Sequence, residues 1–173
     1  LLFLTALGVD LVFVVQGAWA KSSLGATEGQ LGQVFALLGL AELGGSLGST
    51  LLVDRVGKKR AVLAGYALTA TCAALLPLSD GRWLAFLALI FLFDLCYEFA
   101  IVSSFPLASG VAPGARGTVL ALSVLMTGMG RATGSQLAEP IWHGLGIGAI
   151  GLLSAAATLL GVGVCWALVR EAE

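Results

Sequence analysis

Charge is what this sequence has least of. Only 11% of its 173 residues are Asp, Glu, Lys or Arg, against about 25% in soluble domains; 58% are hydrophobic and the mean hydropathy is +1.00. A water-facing globular surface cannot be made from that composition. The net charge of -1 supplies no basic field for nucleic acid. Histidine occurs once, as His143, and Cys72, Cys96 and Cys165 all lie inside apolar runs with no CxxC pairing. Neither a metal site nor a disulfide framework follows from such a set, and no cofactor is expected. The amino terminus has no initiator Met and no basic flank, and Asp10 interrupts its apolar run. A secretory leader is therefore a poorer reading than a first spanning helix of a longer polypeptide.

What is present is a succession of six apolar segments, at about 1–20, 28–53, 61–78, 83–109, 117–142 and 145–169. A helix of about 20 residues crosses a hydrocarbon core of about 30 Å, so each segment can span. The expectation is an all-α membrane protein, one six-helix transmembrane domain over residues 1–173. Thr27 followed by Gln30 three residues on forms a capping box for the second helix, and Pro113-Gly114 should stop the fourth. The connections are short, so successive helices run antiparallel.

Orientation comes from a loop at 54–60. Asp54-Arg55-Val56-Gly57-Lys58-Lys59-Arg60 holds four of the nine Lys and Arg residues, and Gly57 suits the left-handed position that ends a helix. Basic residues collect in cytoplasmic loops. That placement puts Arg116 and Arg170 on the same side, six basic residues in all, with Lys21 and Arg82 opposite and both termini cytoplasmic. Trp19, Trp83 and Trp142 then fall near outer helix ends, where amphipathic rings settle.

A charge at mid-bilayer costs about 2.5 to 3.5 kcal/mol on insertion scales, so each one calls for a reason. Asp10 lies in the first helix, Glu42 in the second, Asp94 and Glu98 in the fourth, and Arg131 and Glu139 in the fifth; the third and sixth have none. The pattern repeats after three helices, as a 3+3 internal repeat would with its third helices facing lipid. Asp94 and Glu98, four apart, share a stripe with Ile101, Val102 and Phe105. Either Arg131 neutralises one of them as structural glue, or the surplus of acids serves proton coupling in a polar cavity. Gly44 with Gly48 and Gly130 with Gly134 offer close-packing faces on the second and fifth helices.

Two local patterns mislead. Gly44-Gly45-Ser46-Leu47-Gly48 fits the nucleophile elbow of hydrolases, but that elbow needs a strand-turn-helix setting and a histidine partner. An intramembrane hydrolase remains the remotest reading. Gly146 to Gly151 fits a dinucleotide fingerprint without the preceding strand, and is taken as a lipid-facing helix start.

With these residues in place, the chain resembles one half of a major facilitator superfamily transporter along its whole length. The 54–60 loop is similar to that superfamily's Asp-Arg-x-Gly-Arg-Arg/Lys signature, with Thr50 standing where Gly is usual, as is more typical of the second half. Tyr97-Glu98-Phe99, Pro106-Leu107, Pro113-x-x-Arg116 and Gly130-Arg131 resemble the proton-driven drug and sugar efflux permeases. Glu139-Pro140-Ile141-Trp142-His143-Gly144 replaces the antiporter pattern Gly-Pro-x-x-Gly-Gly, which belongs to the first half.

The resemblance implies a C-terminal six-helix half built from a 3+3 inverted repeat, in a bacterial-type plasma membrane. It implies a small-molecule substrate, protons as the coupling ion, and membrane lipid and the other six-helix half as partners. Asp10, Asp94 and Glu98 would line the cavity, and Glu42 and Arg131 would sit at the interface between halves. Asp54, Arg55, Gly57, Lys58, Lys59, Arg60 and Arg116 would form the cytoplasmic gate. The competing reading from another class is a six-helix packing or partner-binding module that transports nothing.

Overall fold

The computed structural model describes residues 1–169, and the expected cytoplasmic Arg170 lies outside the described residues. Five helices follow one another: α1 Leu2–Ser23, α2 Glu28–Val56, α3 Lys58–Leu75, α4 Trp83–Val111 and α5 Arg116–Leu168. A 3-10 turn over Leu76–Ser79 extends α3, and another over Pro113–Ala115 joins α4 to α5. Each of the five is long and apolar enough to cross a membrane.

The helix boundaries follow local chemistry. Thr27 Oγ1 accepts from the Gln30 backbone N–H at 3.3 Å, and Gln30 Oε1 accepts from the Thr27 N–H at 2.9 Å, completing the expected box at the start of α2. Lys21 pairs with Glu28 at 2.7 Å across the exposed α1–α2 turn. The expected 54–60 loop contracts to one residue. Gly57, with φ 93° and ψ 135°, is the sole non-helical residue between α2 and α3, because a residue without Cβ reverses the chain in a single step. Asp54 and Arg55 therefore end one helix, and Lys58, Lys59 and Arg60 begin the next.

The sequence predicts a helix end near 142 and a new start at 145; the stretch Arg116–Leu168 consists of two helical arms joined across a kink at Gly146. A straight helix of 53 residues would be about 80 Å long, more than twice a bilayer core. Gly146 has φ 76° and ψ -178°, a region essentially confined to glycine. The contacts with α1 change sense across it. Gly130 lies against Phe3 and Gly134 against Leu7, whereas Gly161 lies against Leu1 and Ser154 against Gly8. The arm 116–145 runs parallel to α1 and the arm 147–168 antiparallel to it.

Both arms grip α1, which is the most deeply buried span. Its Val9, Val12, Val15 and Trp19 join Tyr66 of α3 and Phe86, Ile90 and Phe93 of α4 in the core. Trp19 is not an interfacial ring: it is fully buried, edge-on to Phe86 with centroids 5.3 Å apart. Nor is the 146–151 stretch lipid-facing throughout. Ile150 and Gly151 are buried, and a Cβ on Gly151 would meet the Ala73 carbonyl oxygen at 2.6 Å.

Candidate functional site: a charged cavity between four helices

A cavity of about 380 Å³ opens among α1, α2, α4 and the first arm of α5. Phe13 and Gln16 come from α1, Phe35, Leu38, Gly39 and Glu42 from α2, Asp94, Tyr97 and Glu98 from α4, and Arg131 from α5. Helical periodicity explains the selection. Phe35, Leu38, Gly39 and Glu42 follow the i, i+3, i+4, i+7 pattern of one helix face, and Asp94, Tyr97 and Glu98 its i, i+3, i+4 part. The structure thus brings together four of the five intramembrane site residues expected from sequence. The fifth, Asp10, stands behind Arg131.

Arg131 does not neutralise Asp94 or Glu98, as the glue reading expected. Its Nε donates to Asp10 Oδ1 at 3.2 Å, and Ser135 Oγ donates to Asp10 Oδ2. The carboxylate is buried while the arginine side chain is 56% exposed in this chain. Asp10 thus receives two donors, as a buried carboxylate requires. On the opposite side Ser46 Oγ donates to Glu98 Oε1 at 2.8 Å, leaving Glu98 half-buried at the cavity wall. Ser46 is therefore committed to a carboxylate. The sole histidine, His143, pairs with Glu139 at 3.7 Å instead of with Ser46, and nothing supports an acyl-transfer site.

Two buried acceptors on the cavity wall are unpartnered. Asp94 is 1% exposed and Gln16 2%, and among the described residues Asp94 Oδ2 and Gln16 Oε1 have no hydrogen-bond partner. A second cavity, of about 350 Å³, is lined by groups such as Leu1, Phe3, Leu107, Val119 and Met126 and has no charged side chain.

The gate residues are spread along one end. Asp54, Arg55, Lys58, Arg60 and Arg116 are exposed. Lys59 Nζ reaches the Trp166 and Val169 carbonyl oxygens at 3.0 and 2.6 Å, capping the last turn of α5. Among the described residues, no ion pair joins Arg116 to the 54–60 stretch.

Sequence reading missed Gln16, Phe13, Phe35 and the two serines. A usable signal was present. Glu42 and Arg131, Gly45 and Gly134, Ser46 and Ser135, and Gly57 and Gly146 are each 89 residues apart. The matching is physical as well. A Cβ on Gly45 would lie 2.7 Å from the Leu95 carbonyl oxygen, and one on Gly134 2.6 Å from that of Leu7. Of the glycines on α2 and the first arm of α5, these two and Gly130 make the close contacts, whereas Gly44 and Gly48 have ordinary spacing to α4.

Apolar spanning helices enclosing a cavity with carboxylates and an arginine define a polytopic integral membrane protein built around a polar interior. Its residues 1–173 match the Major Facilitator Superfamily profile, and the chain belongs to that family of membrane transporters, which are not enzymes. It is 27% identical over 110 residues to the Uncharacterized MFS-type transporter YwfA of Bacillus subtilis (strain 168). That match covers 64% of this chain and 27% of the relative, so the chain spans well under two thirds of that protein's length. No solved structure gives a significant match.

Proposed function

We propose that this chain is the C-terminal six-helix half of a secondary transporter that couples proton movement to export of a small molecule by alternating access. The observation that carries the reading is the cavity, where Glu42, Asp94, Glu98 and Arg131 meet, with Asp10 buried behind Arg131. Such residues in a membrane interior mark a substrate or ion path. The 89-residue correspondence supports a 3+3 inverted repeat. On that reading the two arms of α5 are the fifth and sixth spans, and Gly146 corresponds to Gly57.

The exposed faces support a missing partner half. α2 is the least buried of the five helices. Leu43, Leu47 and Leu51 on α2, and Val124 and Met129 on α5, are open in this chain. Helices two and five are where the resemblance puts the contact between halves. Efflux, proton coupling and the C-terminal assignment rest on the Tyr97 to Arg131 block and on the departures at Thr50 and Glu139.

Glu98 is the proposed coupling acid, with Asp94 beside it. The test is Glu98→Gln in the full-length protein in proteoliposomes, screened over a small-molecule panel. Loss of gradient-driven transport with retained counterflow is expected. Unchanged gradient-driven transport would make Glu98 structural.

A second reading has one observation in its favour. The Asp10, Ser135 and Arg131 cluster is inter-helix glue by geometry, as a non-transporting packing module would have. If no panel compound moves and the cluster alone governs stability, that module is the better description.

A further inference from the structure

We propose that the second, uncharged cavity binds a long-chain fatty acid, with its chain in the gap between α4 and the first arm of α5 and its carboxylate at Arg116. The inference does not draw on the transporter reading, because it concerns a different cavity and requires no transport.

The first argument is the wall. The cavity of about 350 Å³ lies between the last turns of α4 and the first turns of α5, with Leu107, Val111, Leu122 and Met126 among its lining residues. Its two hydroxyls are already engaged. Ser104 Oγ donates to the Ala100 carbonyl oxygen and Ser123 Oγ to that of Val119, both at 2.8 Å. Such a wall offers nothing to water, and a cavity of this kind takes an apolar guest. Left empty, it would forfeit dispersion contacts along its lining. The volume is at the small end of ligand sites, which favours one acyl chain over two.

The second argument is the charge at one end. Arg116, Val119, Ser123 and Met126 follow the i, i+3, i+7, i+10 spacing of one helix face, so the exposed Arg116 stands one turn before the lining residues. Among the described residues Arg116 makes no ion pair. Lys59 Nζ, held by the carbonyl oxygen of the lining residue Val169, puts a second positive charge at the same end. No acidic side chain lines the cavity. An apolar slot that ends at a guanidinium matches an anionic amphiphile, and a carboxylate meets that fork with two parallel hydrogen bonds.

The third is what decides between guests. A chain moving from lipid or detergent into an apolar cavity gains little from the hydrophobic effect, since both surroundings are apolar. Selectivity must therefore come from the head group, and Arg116 selects an anion.

The experiment is photolabelling of the purified full-length protein in a neutral detergent with a diazirine analogue of dodecanoic acid, followed by peptide mapping. Label is expected at residues 104–111 and 119–126. Unlabelled dodecanoate should displace it at a micellar mole fraction about tenfold below that of dodecanol or dodecylamine, the effect of one charge-assisted bond. Arg116→Gln should bring the three competitors together, and Ala108→Phe, which fills the cavity, should abolish the label. Glu139→Gln, away from the cavity, should change neither. Thermal unfolding checks that each variant is folded, and Val119→Trp serves as the filling variant if Ala108→Phe is not. Dodecanol competing as well as dodecanoate would overturn the assignment, as would label centred on the charged cavity or spread over the helix surfaces. Displacement by phosphatidylglycerol at a lower mole fraction than dodecanoate would give the cavity to a two-chain lipid and overturn it too. Absence of label would mean that another segment of the full-length protein fills the space, and the fatty acid would lose its site.

Discussion

Arg131 Nε lies 3.2 Å from Asp10 Oδ1, joining the first helix of the chain to the fifth across 121 residues of sequence. The pair is lopsided, because the carboxylate is buried and the guanidinium is half open. Removing the arginine therefore strands a charge, whereas removing the acid releases an exposed group to solvent. Arg131→Ala should lower stability by about 1 to 3 kcal/mol, the range for a hydrogen bond to a charged group. Adding Asp10→Asn should return a good part of that loss, with a coupling of about 1 kcal/mol or more. Thermal unfolding of the four combinations in detergent measures it. Additive losses would mean the two side chains do not depend on each other.

Gly45 sits where α2 crosses α4, and a methyl there would press on the Leu95 carbonyl oxygen at 2.7 Å and on Glu98 Cβ at 2.8 Å. Backbone cannot yield as a flexible side chain can. Gly45→Ala should cost about 1 to 3 kcal/mol by overpacking and should shift Glu98 from Ser46. Gly144→Ala, with nothing within 4 Å, is the control and should be neutral or slightly stabilising. Equal melting temperatures for the two variants would refute the close crossing.

Gly146 holds a conformation that a side chain resists at about 1 to 3 kcal/mol. Gly146→Ala should reduce the yield of folded protein and its melting temperature, while Gly148→Ala, in the helix two residues on, should be mild. If both behave alike, the reversal does not depend on the glycine.

Lys59 caps the end of α5 through two carbonyl oxygens, 107 and 110 residues away in sequence. Lys59→Met keeps the aliphatic stem and loses the ammonium. It should cost about 0.5 to 1.5 kcal/mol and raise amide exchange in the last turn of α5, leaving α1 unchanged. No change in exchange there would show that the last turn holds without the cap.

Much of this was legible in the sequence, and the reasons are local. Long apolar runs specify spanning helices whatever they pack against, and the Thr27 and Gln30 cap needs only its own turn. The charged residues were visible because charge in a membrane is conspicuous. Their pairing was not, since which acid Arg131 meets depends on how α5 lies along α1. The reversal at Gly57 is expected as a loop over 54–60 and Gly146 as part of a helix start, because a single residue turning a chain is a matter of backbone angles, and glycine is common here. Gln16 and Phe35 escaped notice because one amide and one ring on apolar helices carry no pattern of their own. They become a site only when α1 and α2 face α4.

α2 packs along α4 and scarcely touches α1, while α1 is clasped by the two arms of α5. The early and late parts of the chain are laced together like the fingers of two hands. During synthesis α1, α2 and α3 enter the bilayer with their main packing surfaces still unmade, and they must wait in lipid for helices not yet translated. The first three helices touch one another little and cannot settle as a finished unit on their own. Assembly is a late, collective event in which α4 closes against α2 and α3 and the arms of α5 seal α1, and truncating the chain before residue 116 would leave the first helix without its principal neighbours.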